Sequence, residues 1–148
     1  GNVNKTKILL NKYINLRESL RNEGKNDLSN SLPGRVNGEL SVKLKNQNEL
    51  TINRISLAQN SDLKFKIIKV KWNIKNEKLY RTVYEFGNDE KSNKQLIHDF
   101  QSEIKFKLEK KSNLLTALKN EQISPSLLSI ILGPKNQQIY TFKVGNNL

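Results

Sequence analysis

The chain carries one histidine, His98, set beside Asp99 in the stretch QLIHDF. A histidine next to a carboxylate is the starting point for general-base or triad chemistry, but it acts only on a nucleophile that the fold holds in reach. The local signatures that supply such a nucleophile are missing. There is no GxSxG or HExxH signature, no phosphate-binding P-loop and no GxGxxG turn. Cysteine is absent, which removes thiolate metal sites, disulfides and a Cys nucleophile. The acidic residues Glu18, Glu23, Asp89 and Glu90 do not follow the spacing of a calcium loop. A His between apolar neighbours is read as a packed or surface residue. No catalytic residue, cofactor, metal ligand or small-molecule substrate is therefore expected.

Charge is the next candidate for function. Lys and Arg number 26 against 14 Asp and Glu, a net charge of +12. Such a balance suits nucleic acid, an anionic membrane or acidic proteins. The lysines, however, are dispersed. Lys64, Lys66, Lys69, Lys71, Lys105 and Lys107 alternate with apolar residues, as on the solvated face of a sheet. Nucleic acid is accordingly not an expected partner. The aromatics Phe65, Trp72, Tyr80, Tyr84, Phe86, Phe106, Tyr140 and Phe142 fall on strand positions and are expected in the core.

The elements that must position these residues begin with a helix. Residues 5–22, KTKILLNKYINLRESLRN, place Leu9, Tyr13, Leu16 and Leu20 on one narrow stripe at helical spacing. A second stripe of Val3, Leu10 and Ile14 lies beside it, flanked by Arg17 and Arg21. The first stripe is expected to pack on the domain's own sheet and the second to face a partner helix. Gly24 is the expected C-cap. The next residues, rich in Gly, Asn and Ser around Pro33-Gly34, read as a long loop.

The period then changes from 3.6 to 2. Leu40, Val42 and Leu44 make one strand, and Leu50 to Leu57 a second, with a turn at Asn46–Asn48. Residues 63–75 are the longest extended run. Its apolar phase slips at Ile67-Ile68, for which a β-bulge or a break is the expected remedy. Residues 78–86 follow across a hairpin at Asn76-Glu77, and residues 87–94 read as loop. Ile104, Phe106 and Leu108 mark a half-buried strand. Residues 110–125 are ambiguous, and 126–132 with 138–144 form a closing hairpin. One domain is expected, with a truncated N-terminal helix over 1–23, a connecting loop over 24–38 and a β-rich region over 39–148. The fold class is α+β, an amphipathic helix on antiparallel sheet.

The order of these elements resembles the domain of a type IV pilin-like protein. The later half is most similar to the J-type minor pseudopilins of the type II secretion system. The residues that carry the likeness are VKWNIKNEKLYRTV (70–83), QLIHDFQSEIKFKLE (95–109), and PSLLSIIL with QQIYTFKV (125–144). Leu79, Tyr80 and Arg81 match the family's second strand of this region. Leu96, Ile97, Phe100, Ile104 and Phe106 match the third block. Pro125, Leu127, Leu128, Ile130 and Leu132 match the penultimate strand, and Ile139, Tyr140 and Phe142 the last. The likeness covers about residues 39–144 and rests on hydrophobic pattern.

The resemblance implies a pilin-like fold and a non-enzymatic structural role. A member of this group is made with a hydrophobic N-terminal span, cleaved and methylated, and held in the bacterial inner membrane with its domain in the periplasm. It would join the I- and K-type minor pseudopilins at the pseudopilus tip and prime polymerisation of the major pseudopilin. The secretin and secreted cargo are further candidate contacts. Val3, Leu10, Ile14, Arg17 and Arg21 would form the partner-binding helix face. The start at Gly1, with no Met in the chain, agrees with a span lying ahead of residue 1. The segment before Pro125 lacks the Trp-rich stretch common in the family. That departure keeps a minor pilin of a type IV pilus or competence system, with DNA as a ligand, as the alternative.

Overall fold

A computed structural model describes residues 13–57, 65–85, 88–109, 127–132 and 137–143. Among them are one helix, α1 (Ile14–Ser29), and ten strands. The strands are β1 (Arg35–Val36), β2 (Glu39–Leu40), β3 (Val42–Asn46), β4 (Glu49–Leu57), β5 (Phe65–Lys75), β6 (Lys78–Glu85), β7 (Asn88–Asp99), β8 (Ile104–Glu109), β9 (Leu127–Leu132) and β10 (Gln137–Lys143). Strands β3 to β7 form a five-stranded antiparallel meander in chain order. Strands β8 to β10 form a three-stranded antiparallel sheet with β9 in the middle, and β1 pairs with β2. The class is α+β, with an N-terminal helix and antiparallel sheets.

The expected inner stripe of the helix is buried at Tyr13, Leu16 and Leu20. The stripe does not stop there. It continues through Gly24, Asp27 and Leu28, and the helix runs to Ser29 rather than ending at Gly24. The last carbonyls are capped by polar side chains. Asn30 Nδ2 donates to the Asn26 carbonyl at 2.8 Å, and Ser31 Oγ donates to that of Leu28 at 2.7 Å. These groups take over the work assigned to a glycine cap. Gly24 has a different role. A Cβ at this position would collide with the Phe142 ring, so only glycine lets α1 close on β10.

The rest of the expected loop is partly ordered into strands. Asn37 and Gly38 both have positive φ, 52° and 83°, and turn β1 back onto β2. Leu40 belongs to this small hairpin and is exposed, so it does not share the face of Val42 and Leu44. Residues just after the helix fill the edge of β4 that β3 leaves uncovered. Leu32 N–H donates to the Asn53 carbonyl at 2.9 Å, and Ile55 N–H donates to that of Asn30 at 3.0 Å.

Two further expectations are corrected. No bulge or break interrupts β5. It pairs in unshifted register with β4 from Asn73 to Phe65 and with β6 from Lys75 to Ile68. The phase slip instead serves two faces. Val70 and Trp72 are fully buried, with Ile68 and Ile74 packed beside them, while Phe65 (71% exposed) and Ile67 point to the other side of the sheet. The segment read as loop over 87–94 is largely strand. Its backbone pairs with β6 from Asn88 onward, and its polar side chains suit a solvated sheet edge. The hairpin at Asn76-Glu77 forms as expected, with φ of 52° and 65°. So do the turn after Asn46 and the antiparallel pairing of β9 with β10. Residues 110–125, and Val3, Leu9 and Leu10, lie outside the described residues.

One core joins the helix to both sheets. Leu50, Ile52, Val70, Trp72 and Leu79 come from the meander, and Ile104, Phe106, Ile139 and Phe142 from the smaller sheet. Phe142 sits at the junction. Its ring meets Trp72 at 5.5 Å, Phe106 at 6.3 Å and Tyr140 at 5.0 Å, all edge-on. A second cluster of Tyr13, His98 and Phe100 pins the start of the helix, with centroids 4.8 to 6.0 Å apart.

Gly24→Ala tests this packing. Alanine favours a helix interior by about 1 kcal/mol, but overpacking against Phe142 costs about 1–3 kcal/mol. The variant should be less stable in urea unfolding, and Phe142→Leu should relieve part of that loss in the double variant. A simple gain of stability on Gly24→Ala would contradict the close approach.

Candidate functional site

The most concentrated chemistry in the described structure was invisible in the sequence. Asp27 lies on the buried stripe of α1, one turn after Gly24, and is fully shielded from solvent. Three neighbouring strands send donors to it. Arg81 of β6 grips it as a fork, with Nε 2.9 Å from Oδ2 and Nη2 2.7 Å from Oδ1. Arg54 Nη1 of β4 donates to Oδ1 at 2.7 Å, and the Trp72 indole of β5 donates to Oδ2 at 2.9 Å. Strand pairing places Trp72 beside Arg81, whose guanidinium lies 5.8 Å from the indole ring centroid.

Four donors saturate the four lone-pair positions of a carboxylate. Asp27 therefore has no acceptor left for a substrate or a metal ion. It is a clasp between helix and sheet. Burial alone would lower the pKa of Arg81, but hydrogen bonding and attraction from Asp27, aided by Glu23, raise it above the ordinary arginine value. The cluster holds two guanidinium groups and one carboxylate, with the half-exposed Glu23 near its mouth.

The residues singled out from sequence fall elsewhere. His98 is packed edge-on against Tyr13 and Phe100. Its neighbour Asp99 is exposed and accepts the backbone N–H of Gln101 at 3.1 Å, a turn contact. Adjacent at the end of β7, the two thus have different surroundings, one aromatic and one solvated. Among the described residues no group of three His, Cys, Asp or Glu gathers as a metal site requires. No helix there is long and apolar enough to cross a membrane.

Of the expected partner face, Ile14, Arg17 and Arg21 are described, and all three are exposed along one flank of the buried stripe of α1. Ile14 keeps 49% of its surface in solvent, a high value for an aliphatic residue. Arg21 lies close enough to Tyr140 of β10 to oppose the effect of burial on that phenol. Burial still prevails, and the Tyr140 pKa is raised. Val3 and Leu10 fall outside the described residues.

No protein-family model, curated protein or solved structure matches this chain. The class that fold and residues define is thus an α+β domain whose single described helix is clasped to a five-stranded sheet through a buried carboxylate.

Asp27→Asn should be severely destabilising. It leaves two guanidinium groups facing a neutral amide, and breaking a buried pair of this kind costs about 3–5 kcal/mol. Urea unfolding measures the loss. A change under about 1 kcal/mol would mean that the clasp does not hold the helix.

Proposed function

We propose that this chain is a non-enzymatic structural subunit of a type II secretion pseudopilus. Its place is the tip, with other minor pseudopilins, where it primes pseudopilus formation and supports export of folded proteins across the outer membrane. On this reading the domain has the pilin-like fold and lies in the periplasm, below a membrane span carried by the precursor. Two lines support the proposal. The first is the hydrophobic-pattern resemblance to J-type minor pseudopilins over about residues 39–144. The second is the arrangement of α1.

The arrangement of α1 is the observation that carries the proposal. The inner stripe of the helix is already spent on its own domain, through Tyr13, Leu16, Leu20 and Leu28. Ile14 is nevertheless exposed beside that stripe, with Arg17 and Arg21 one and two turns further along. An aliphatic residue followed by guanidinium groups, on a helix already anchored by its inner stripe, suits docking against a second helix. Arginine also favours interfaces because its planar fork loses little freedom per hydrogen bond made.

The test is co-purification of the 148-residue chain with the corresponding domains of the I- and K-type candidates from the same genome, read by light scattering. A stable heterocomplex is expected. Ile14→Asp combined with Arg17→Glu should weaken it by roughly tenfold or more, since burying one Ile is worth about 1.5–3 kcal/mol. The fold should be spared, with unfolding within about 0.5 kcal/mol of wild type. A chain that ignores both partners would refute the assembly role. A complex that survives the double substitution unchanged would refute the helix face.

A further inference from the structure

The outer face of the meander, opposite the core, has a composition of its own. Cross-strand register aligns Lys43, Thr51, Lys71, Thr82 and Lys94 in one row across all five strands. The adjacent row carries Lys69 beside Tyr84. Lys69 and Lys71, which looked dispersed along the sequence, are therefore gathered with Lys43 and Lys94 on one side by strand pairing. The tyrosines stand among them. The Lys69 and Lys71 ammonium groups lie 5.0 and 5.3 Å from the Tyr84 ring, and that of Lys94 lies 4.3 Å from Tyr80. Acidic partners among the described residues temper the charge: Glu49 binds Lys71 at 3.2 Å and approaches Lys45 at 3.7 Å, and Glu39 approaches Lys43 at 3.7 Å.

The same face exposes apolar side chains. Phe65 and Ile67 follow each other along β5, and Ile55 stands opposite Ile67 on β4. All three are exposed, Phe65 the most of any large hydrophobic residue described. Ile67 and Lys69 are two residues apart on one strand, so roughly 7 Å separates the apolar patch from the first lysine. That distance is within reach of a lysine stem, which can lie along the patch and carry its charge outward.

We propose that this face seats the domain on an anionic phospholipid surface. Phe65, Ile67 and Ile55 enter the interfacial layer, and Lys43, Lys69, Lys71 and Lys94 meet the headgroup phosphates. Charge complementarity selects an anionic partner. The apolar patch selects a bilayer over a nucleic acid, because Ile55 and Ile67 accept acyl chains and leave Phe65 as a single open ring, where a strand of bases stacks on several. The tyrosine rings have lysine ammonium groups over them and are not open platforms for bases. This face shares no residue with the helix surface at Ile14, Arg17 and Arg21.

Flotation of the 148-residue chain with vesicles tests the proposal. Equimolar phosphatidylglycerol and phosphatidylcholine should carry the protein at low salt, and phosphatidylcholine alone should not. Raising NaCl to about 0.5 M should weaken binding strongly, since the Debye length then falls to a few ångströms. The combined substitution Lys43→Gln, Lys69→Gln and Lys94→Gln, which leaves the Lys71–Glu49 pair intact, should reduce binding roughly tenfold or more. Phe65→Ser should reduce it by about the same factor.

Phe65→Trp provides a readout that does not depend on the lysine variants folding. The native Trp72 is fully buried and supplies a constant background. A blue shift of the new indole on adding anionic vesicles, with quenching by brominated lipid, supports insertion. An unshifted indole, equal binding to neutral vesicles, or no vesicle binding would each overturn the proposal. So would capture of an oligo-thymidine in place of vesicles, which would assign the face to single-stranded nucleic acid.

Discussion

The contact on which the rest of the structure depends is the burial of Asp27 among Arg54, Trp72 and Arg81. A carboxylate out of water is tolerated only when its lone pairs are filled and its charge is met. Here the donors come from three successive strands. The helix can satisfy Asp27 only in one rotation and at one height above the sheet. A buried pair of this kind adds little net stability over an apolar replacement, but it penalises every arrangement that leaves the charge alone. Its effect falls on register: β4, β5 and β6 must align so that Arg54, Trp72 and Arg81 converge, and α1 must arrive in phase.

The second sheet is tied in by shape rather than charge. Phe142 of β10 fills the hollow left by Gly24 and touches Trp72, whose indole also donates to Asp27. One tryptophan thus belongs to both the polar clasp and the aromatic core. Helix, meander and small sheet meet within a few side chains of each other. Among the described residues, the flank of α1 at Ile14 and the outer face of the meander take no part in this junction. One shows an aliphatic residue followed by two arginines, the other an apolar patch beside lysines. On the proposed function the first would meet a partner helix, and on the further proposal the second would meet a membrane.

Local pattern made much of the secondary structure legible. Tyr13, Leu16 and Leu20 declare a helix face because 3.6-residue periodicity needs no distant information. The alternation at Ile104 and Phe106 and the turn residues Asn76-Glu77 are equally local. Errors arose where a residue has two possible uses. Gly24 reads as a helix stop, yet it is a point of close approach to a strand more than a hundred residues later. Ile67-Ile68 reads as a slipped phase, yet the strand is regular and both its faces carry apolar side chains. The polar stretch after Asn88 reads as loop, yet an edge strand can be polar because hydrogen bonds to β6 hold it.

By itself, then, the sequence determined the start of the buried helix stripe and most of the strands and hairpin turns, because those depend on neighbours a few residues apart. Only the tertiary structure decided that Asp27, Arg54, Trp72 and Arg81 form one clasp, since the donors stand 27 to 54 residues from the carboxylate in the chain. It likewise decided that Lys43, Lys69, Lys71 and Lys94 share one sheet face. Which residues are cross-strand neighbours follows from register, and register is set by the packing of the whole.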